Sequence, residues 1–367
     1  MNKTAILLVC VALVGGVAFI FRGQIFTALF TPNDMATGKK DPHIRLTENN
    51  LFYQQANSLR NTGDAKQVIE LYQKALDLAA DPAERGQIQF MIAAVGSRVD
   101  TTASIRQLKE LATDTTQSNL QRAYAVQQLG QNYYRNTNKD TIGLIFSGEP
   151  YAGFYKEKDV RLAMRRLFEY ASSFHPLAIS ELRAARWYAD AVYDLKRKTV
   201  LTEEERIRVD SYLSIIREKF ALADADIERT RTVTNGQKLI PEALARKAGV
   251  LGRLALASEE SFADPEKAFA EAINANMPLR DDGPVRVNYA IYLANRYGES
   301  RRDDSIAILK PLISNIESYP EGTKIFLSAE RNNILGSKAD LVSLAMSVPD
   351  FKKMLLSLGW SETDFAL

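Results

Sequence analysis

The sequence predicts an all-α protein of stacked helix pairs behind one N-terminal membrane-spanning helix. Three observations carry this. Glycine (19) and proline (12) are sparse among 367 residues, fewer than the turns of an all-β chain need. From Thr47 onward, apolar residues recur at helical spacing. Between Lys3 and Arg22 lies an uncharged run, Thr4 to Phe21, rich in Leu, Val, Ala and Ile. Helix content above about 60% and no sheet are expected.

Composition narrows the function classes. Lys plus Arg is 47 and Asp plus Glu is 45, so a net charge of +2 gives no electrostatic reason for nucleic-acid binding. Charged residues at 25% and hydrophobic ones at 46% argue against wholesale disorder. Two His and one Cys leave no ligand set for a structural zinc or a disulfide framework. No cofactor is expected.

The first element is the apolar run. As a helix, residues 4–21 reach about 27 Å, enough to cross a bilayer core. The chain stays uncharged after Arg22 as far as Asn33, and Ile25, Phe26, Leu29 and Phe30 suit the interface while Arg22 snorkels. Residues 1–30 therefore read as an anchor, and 31–46, with Pro32, Gly38 and Pro42, as a linker. A rival is a leader cleaved at Gly16-Val17-Ala18, leaving a secreted or periplasmic binding protein; the apolar residues beyond that site argue against it. A lipoprotein signal fits less well, because Cys10 lies inside the run behind Val9. Lys3 favours a cytoplasmic tail, and Arg22, Lys39 and Lys40 favour a cytoplasmic body. Large bodies translocate with little regard to such charges, so the body is expected outside the cytoplasm.

Helix pairs follow over residues 47–320. In Gly63 to Leu76, the residues Val68, Leu71, Tyr72, Ala75 and Leu76 share a helical face, and Gly63-Asp64 forms the turn and N-cap. The preceding helix, about Glu48 to Asn61, carries Phe52, Ala56 and Leu59. Ala56, Gly63, Tyr72 and Ala75, with Phe52 in an aromatic slot and Val68 in a small-residue slot, resemble a tetratricopeptide (TPR) repeat. More degenerate copies follow. Leu129-Gly130 precedes Tyr133, with a late second helix carrying Phe168, Ala171 and Pro176. Leu251-Gly252 precedes Ala255, and Asp264 to Ala268 opens its partner. Leu293-Ala294 precedes Tyr297, with Asp303 to Asn315 next. Arg85 to Ala112 supplies another pair. Ser180 to Lys196 and Thr202 to Phe220 form a less typical one, the latter opened by a Thr202–Glu205 capping box. Lys324 to Met346 and Asp350 to Leu358 are expected to cap the array within residues 321–367. The match is best over 49–80 and looser over 120–176 and 245–317. The resemblance implies a right-handed α-solenoid, in which small residues such as Ala56, Ala75, Gly130 and Gly252 let helices approach. A compact bundle with coincidental spacing is the alternative.

The resemblance also implies that first helices line a groove for a segment of a protein partner. By register, the groove side chains are Tyr53, Asn57 and Arg60; Tyr124, Gln127, Gln131 and Tyr134; Arg246 and Arg253; and Asn288 and Asn295. Tyr, Asn and Arg suit peptide recognition, and a solvated helix face is the plain alternative for each. Tyr53 stands where the family's carboxylate-binding members carry Lys, which argues against such a clamp.

Signals for catalysis are poor. No Gly-x-Ser-x-Gly or phosphate loop occurs. His43 lies in the linker, and His175 at a helix end suits carbonyl contacts. Asp303-Asp304 and Glu259-Glu260 read as helix-start residues. A degenerate glycan-acting helical enzyme would need a desolvated carboxylate in a groove. Residues 136–158, with Ile142, Leu144, Ile145, Phe146, Tyr151, Phe154 and Tyr155, read as an unusually apolar inserted loop. It either docks a partner, a groove or the membrane, or packs on its own helices. Arg165-Arg166, Lys196-Arg197-Lys198 and Arg301-Arg302 are expected to be solvated, with acidic lipid or an acidic partner as the lesser reading. The function expected from sequence is a membrane-anchored protein-interaction scaffold.

Overall fold

A computed structural model describes residues 50–60, 63–135, 139–155, 160–231, 240–259, 261–276, 282–319, 321–331 and 338–366. The anchor and linker of residues 1–46, with Cys10 and His43, lie outside the described residues. Among the described residues every regular element is helical, and no helix is long and apolar enough to cross a membrane.

The helices are α1 (Leu51–Leu59), α2 (Ala65–Leu78), α3 (Pro82–Gly96), α4 (Thr101–Thr113), α5 (Asn119–Arg135), α6 (Lys139–Ile145), α7 (Val160–Phe174), α8 (Ala178–Lys196) and α9 (Glu203–Arg231). They continue as α10 (Ile240–Leu256), α11 (Pro265–Asn276), α12 (Gly283–Tyr297), α13 (Arg302–Ser314), α14 (Glu321–Arg331), α15 (Lys338–Ser347) and α16 (Pro349–Ser357). Local chemistry sets several starts. Asp64 Oδ1 accepts from Lys66 N at 2.6 Å and Gln67 N at 3.4 Å. Asp81 caps α3 just ahead of Pro82, and Asp100 caps α4. The Thr202–Glu205 box is formed reciprocally at 3.2 and 3.0 Å.

The chain divides into two compact units. The first runs to Gly153 and adds Tyr170–Pro176 and a segment from Glu228; the second comprises Phe154–Glu169, Leu177–Ile227 and Ile240 onward. In the first unit, Asn57 meets Tyr72 and Asn50 meets the Ala75 carbonyl, so α1 and α2 run antiparallel. Asn50–Glu84 and Tyr53–Gln87 share a sequence offset of 34 residues, so the segment opening α1 and that opening α3 run parallel and in register.

The second unit repeats this logic. Lys219–Glu181 and Ala178–Asp226 make α8 and α9 antiparallel, and Pro241–Asn276 with Gly252–Phe269 does the same for α10 and α11. Arg186–Gly249 and Asp190–Arg253 share an offset of 63 residues, which sets α8 parallel to α10. Arg296 donates to the Ala255 carbonyl, and Gly252 lies beside Tyr292, which sets α12 parallel to α10. First helices of successive pairs therefore lie side by side.

Two expectations change. α9 continues to Arg231 rather than ending near Phe220, because Ala223 and Ile227 extend its buried stripe. The inserted loop is partly helical: α6 is followed by a 3-10 turn at Tyr151–Tyr155. Ile145, Phe146 and Tyr151 are buried, so its apolar content serves packing on its own unit. Lys109 on α4 holds it, donating to the Leu144 and Ser147 carbonyls and the Ser147 hydroxyl beneath the Tyr151 ring. Burial pulls that ammonium down to about 8.

Candidate functional site

The residues expected to line a groove separate into a buried set and an accessible one. In the first unit, Tyr53, Asn57, Tyr124 and Gln127 are buried. The Tyr53 hydroxyl accepts from Gln87 Nε2 at 3.0 Å, and its ring meets Tyr72 at 5.6 Å between centroids. Asn57 Oδ1 accepts from the Tyr72 hydroxyl at 2.6 Å. Tyr53 thus links the first pair to α3, Asn57 bonds within the pair, and all four buried side chains are unavailable to a partner. Burial raises both phenols, which stay protonated. Arg60 is half-buried, with Nη1 3.7 Å from Met91 Sδ. Gln131 is half-buried, and the Tyr134 side chain lies outside the described residues.

The second unit brings three expected residues together. Arg253 and Asn288 line a cleft with Arg186, Gly249, Gly252, Leu256, Phe269, Ile291, Tyr292 and Asp340. Asn295 joins at the edge, where its Nδ2 donates to Asp340 Oδ1 at 3.1 Å. Arg246 lies one turn away on α10 and pairs with Glu242 at 2.5 Å. The recess is shallow: Phe269 and Tyr292 in its wall are almost fully buried, which makes it a surface contact rather than a small-molecule pocket.

The floor of the cleft is an ion-pair network. Arg253 Nε meets Asp190 Oδ1 at 2.8 Å, and its Nη2 meets Asp340 Oδ2 at 3.2 Å. Its guanidinium stacks 4.7 Å over the Tyr193 ring. Burial lowers the Arg253 pKa, but the two carboxylates outweigh it and hold the guanidinium above its ordinary value. Arg186 shares Asp190 through Nε at 3.0 and 3.1 Å and donates from Nη1 to the Gly249 carbonyl at 3.3 Å. Asn288 is half-buried and makes no hydrogen bond among the described residues. Sequence reasoning missed Arg186, Asp190 and Asp340. Arg186 and Asp190 stand on α8, whose pair departs from the repeat pattern, and Asp340 comes from a presumed capping helix.

Buried carboxylates lie elsewhere. Burial raises Glu84, which sits 3.5 Å from Asn50 Nδ2. Glu181 is buried against Lys219 at 2.8 Å. Neither lines the cleft, and among the described residues no His, Cys, Asp and Glu group could hold a metal. His175 follows α7, its amide bonded to the Ala171 carbonyl at 3.3 Å. Lys196, Arg197, Lys198 and Arg302 of the basic clusters are exposed and Arg165, Arg166 and Arg301 half-buried, and the clusters carry bonds within the fold. Arg165 pairs with Glu169 and Lys198 with Glu205, and Lys196 meets Glu259. Arg301 grips Glu266 and Asp304, and Arg302 donates to the Ser347 carbonyl.

The cleft offers hydrogen-bond donors beside apolar walls and no arranged nucleophile or acid–base pair. No known family, no curated protein and no solved structure matches the chain.

Proposed function

We propose that the chain is a membrane-anchored, TPR-like helical scaffold that binds a segment of a protein partner, with the second unit's cleft as the contact. The observation that carries this reading is the cleft itself: first helices α8, α10 and α12 lie side by side and present Arg186, Arg253 and Asn288 together. The shared 34-residue offset in the first unit equals the period of TPR repeats and supports the family likeness. The anchor rests on the sequence of residues 4–21.

Site-specific photocrosslinking in membranes tests both parts. A benzophenone amino acid replacing Asn288 is expected to yield a protein adduct. The same group replacing Lys267, exposed on α11, serves as control. Equal adducts at both positions, or none at 288, would remove the cleft from the reading. Full-length protein in the detergent-free soluble fraction would remove the anchor.

A further inference from the structure

We propose that residues 24–31 cover the open side of the first helix pair, laying Ile25, Phe26, Leu29 and Phe30 along the groove between α1 and α2. The inference is independent of the second unit's cleft.

The outer side of a terminal helix pair has no further pair to bury it, so it stays soluble by being polar or by being covered. Here it is apolar. α1 carries a second stripe, Leu51, Phe52 and Leu59, of which Leu51 is 76% exposed and the other two are half-buried. This stripe stands roughly 150° around the helix from Tyr53, Asn57 and Arg60. Those three face the neighbouring helices: Tyr53 and Arg60 meet Gln87 and Met91 of α3, and Asn57 meets Tyr72 of α2. On α2, Leu71 and Leu78 share a line two turns apart, the first half-buried and the second 66% exposed. Lys74, between them, places its ammonium 5.8 Å over the Phe52 ring, so the stripes of the two helices adjoin. α3 meets α2 elsewhere, through Arg85 at the Leu76 and Ala79 carbonyls.

The chain supplies the cover. α1 opens at Leu51, so the preceding residues all arrive at this pair. Residues 4–21 alone reach about 27 Å, enough for a bilayer core. Ile25, Phe26, Leu29 and Phe30 are surplus to that span, and they recur at helical spacing ahead of Pro32. No charged residue stands between Gly23 and Asn33, so this segment can be buried without stranding an ion. A chain the length of residues 32–49 spans about 20–25 Å on average, comparable to the length of α2, so it can return the segment to the groove.

Two other occupants fit less well. A flat lipid surface would meet Leu51 and Leu78 but not the half-buried Phe52, Leu59 and Leu71; the side chains of a segment laid in the groove reach those too. A second copy of the chain competes with a tethered segment whose effective concentration is of order mM.

The test uses the full chain in membranes on a Cys10→Ser background, Cys10 being its single cysteine. Leu29→Cys is combined with Leu78→Cys or with Gln73→Cys. Both α2 residues are exposed, which spares the fold, and they stand roughly 140° apart around the helix. A short bismaleimide links the thiols, and cleavage at a protease site inserted at Gly38 shows whether the two pieces remain joined. The Leu78 pair is expected to give at least about fivefold more intramolecular adduct than the Gln73 pair, because tethering alone favours both equally. Phe26→Asp with Phe30→Asp should speed the labelling of Leu78→Cys by a small maleimide several-fold. Equal adducts from the two pairs, or none from the Leu78 pair while each thiol labels singly, overturn the proposal. An adduct of twice the chain's mass from Leu78→Cys alone assigns the face to a second copy and overturns it as well.

Discussion

The Tyr72 hydroxyl donates to Asn57 Oδ1 at 2.6 Å, between the two helices of the first pair. Both residues are buried. Tyr72→Phe would keep the ring and strand the amide oxygen, at a cost of about 1–3 kcal/mol. Asn57→Leu, combined with it, should recover part of that loss, since no unpaired acceptor then remains. Urea titrations of the four chains measure the coupling. Additive effects would mean that the bond does not hold the pair together.

The same residues show how far the sequence could be read. Helix positions and the small sites Ala56 and Ala75 follow from spacing, because each helix buries one stripe whatever its neighbours are. The groove face did not follow. Tyr53 and Asn57 stand at groove register but are buried, because Gln87 and Tyr72 reach them from adjacent helices. That contact depends on a residue 34 positions away, and spacing along one helix cannot show it. Arg253 shows the opposite case. It lines the cleft, and its partners Asp190 and Asp340 come from sequence separations of 63 and 87 residues. Phe52, in the aromatic slot of the family pattern, is half-buried beneath Lys74.

Acid should loosen α11 from α12. Burial raises the Glu266 pKa, but bonds from Arg301 at 2.8 Å and Tyr297 at 2.9 Å outweigh it and set the carboxyl below the ordinary glutamate range. A carboxylate depressed in the folded state adds stability above its unfolded pKa and loses it as pH falls through the folded one. Between about pH 6 and pH 3, the wild-type chain should therefore lose more stability than Glu266→Gln. Identical acid profiles would mean that the Arg301–Glu266 pair is solvated and inert.

The face assignment of α2 predicts a contrast between neighbours. Ala75 is fully buried, and Lys74 beside it is exposed. Ala75→Leu should overpack the α1–α2 contact and cost about 1–3 kcal/mol. Lys74→Leu should stay within about 0.5 kcal/mol, with at most a small further loss from its cation–π contact to Phe52. The comparison should follow the first cooperative unfolding step in urea, because repeat-like chains can unfold in parts. A larger effect from Lys74→Leu would overturn the register on which the first pair is built.

Two glycines on α10 predict opposite outcomes for the same substitution. A Cβ at Gly252 would lie 2.9 and 3.0 Å from two carbons of the Phe269 ring, which is itself stacked on Tyr289 at 4.9 Å and has no room to retreat. At Gly249 the nearest atom is Arg186 Nη1 at 3.4 Å, the end of a flexible side chain that can shift. Ala favours a helix interior over Gly by about 1 kcal/mol, and this gain applies equally at both sites. Gly249→Ala should therefore be neutral or stabilising. Gly252→Ala should be destabilising, because overpacking of about 1–3 kcal/mol exceeds the helix gain. Thermal and urea unfolding of both variants measure the difference. If Gly252→Ala proves as stable as Gly249→Ala, then Phe269 does not pack against the α10 backbone, and the close approach of α10 and α11 that shapes the cleft is wrong.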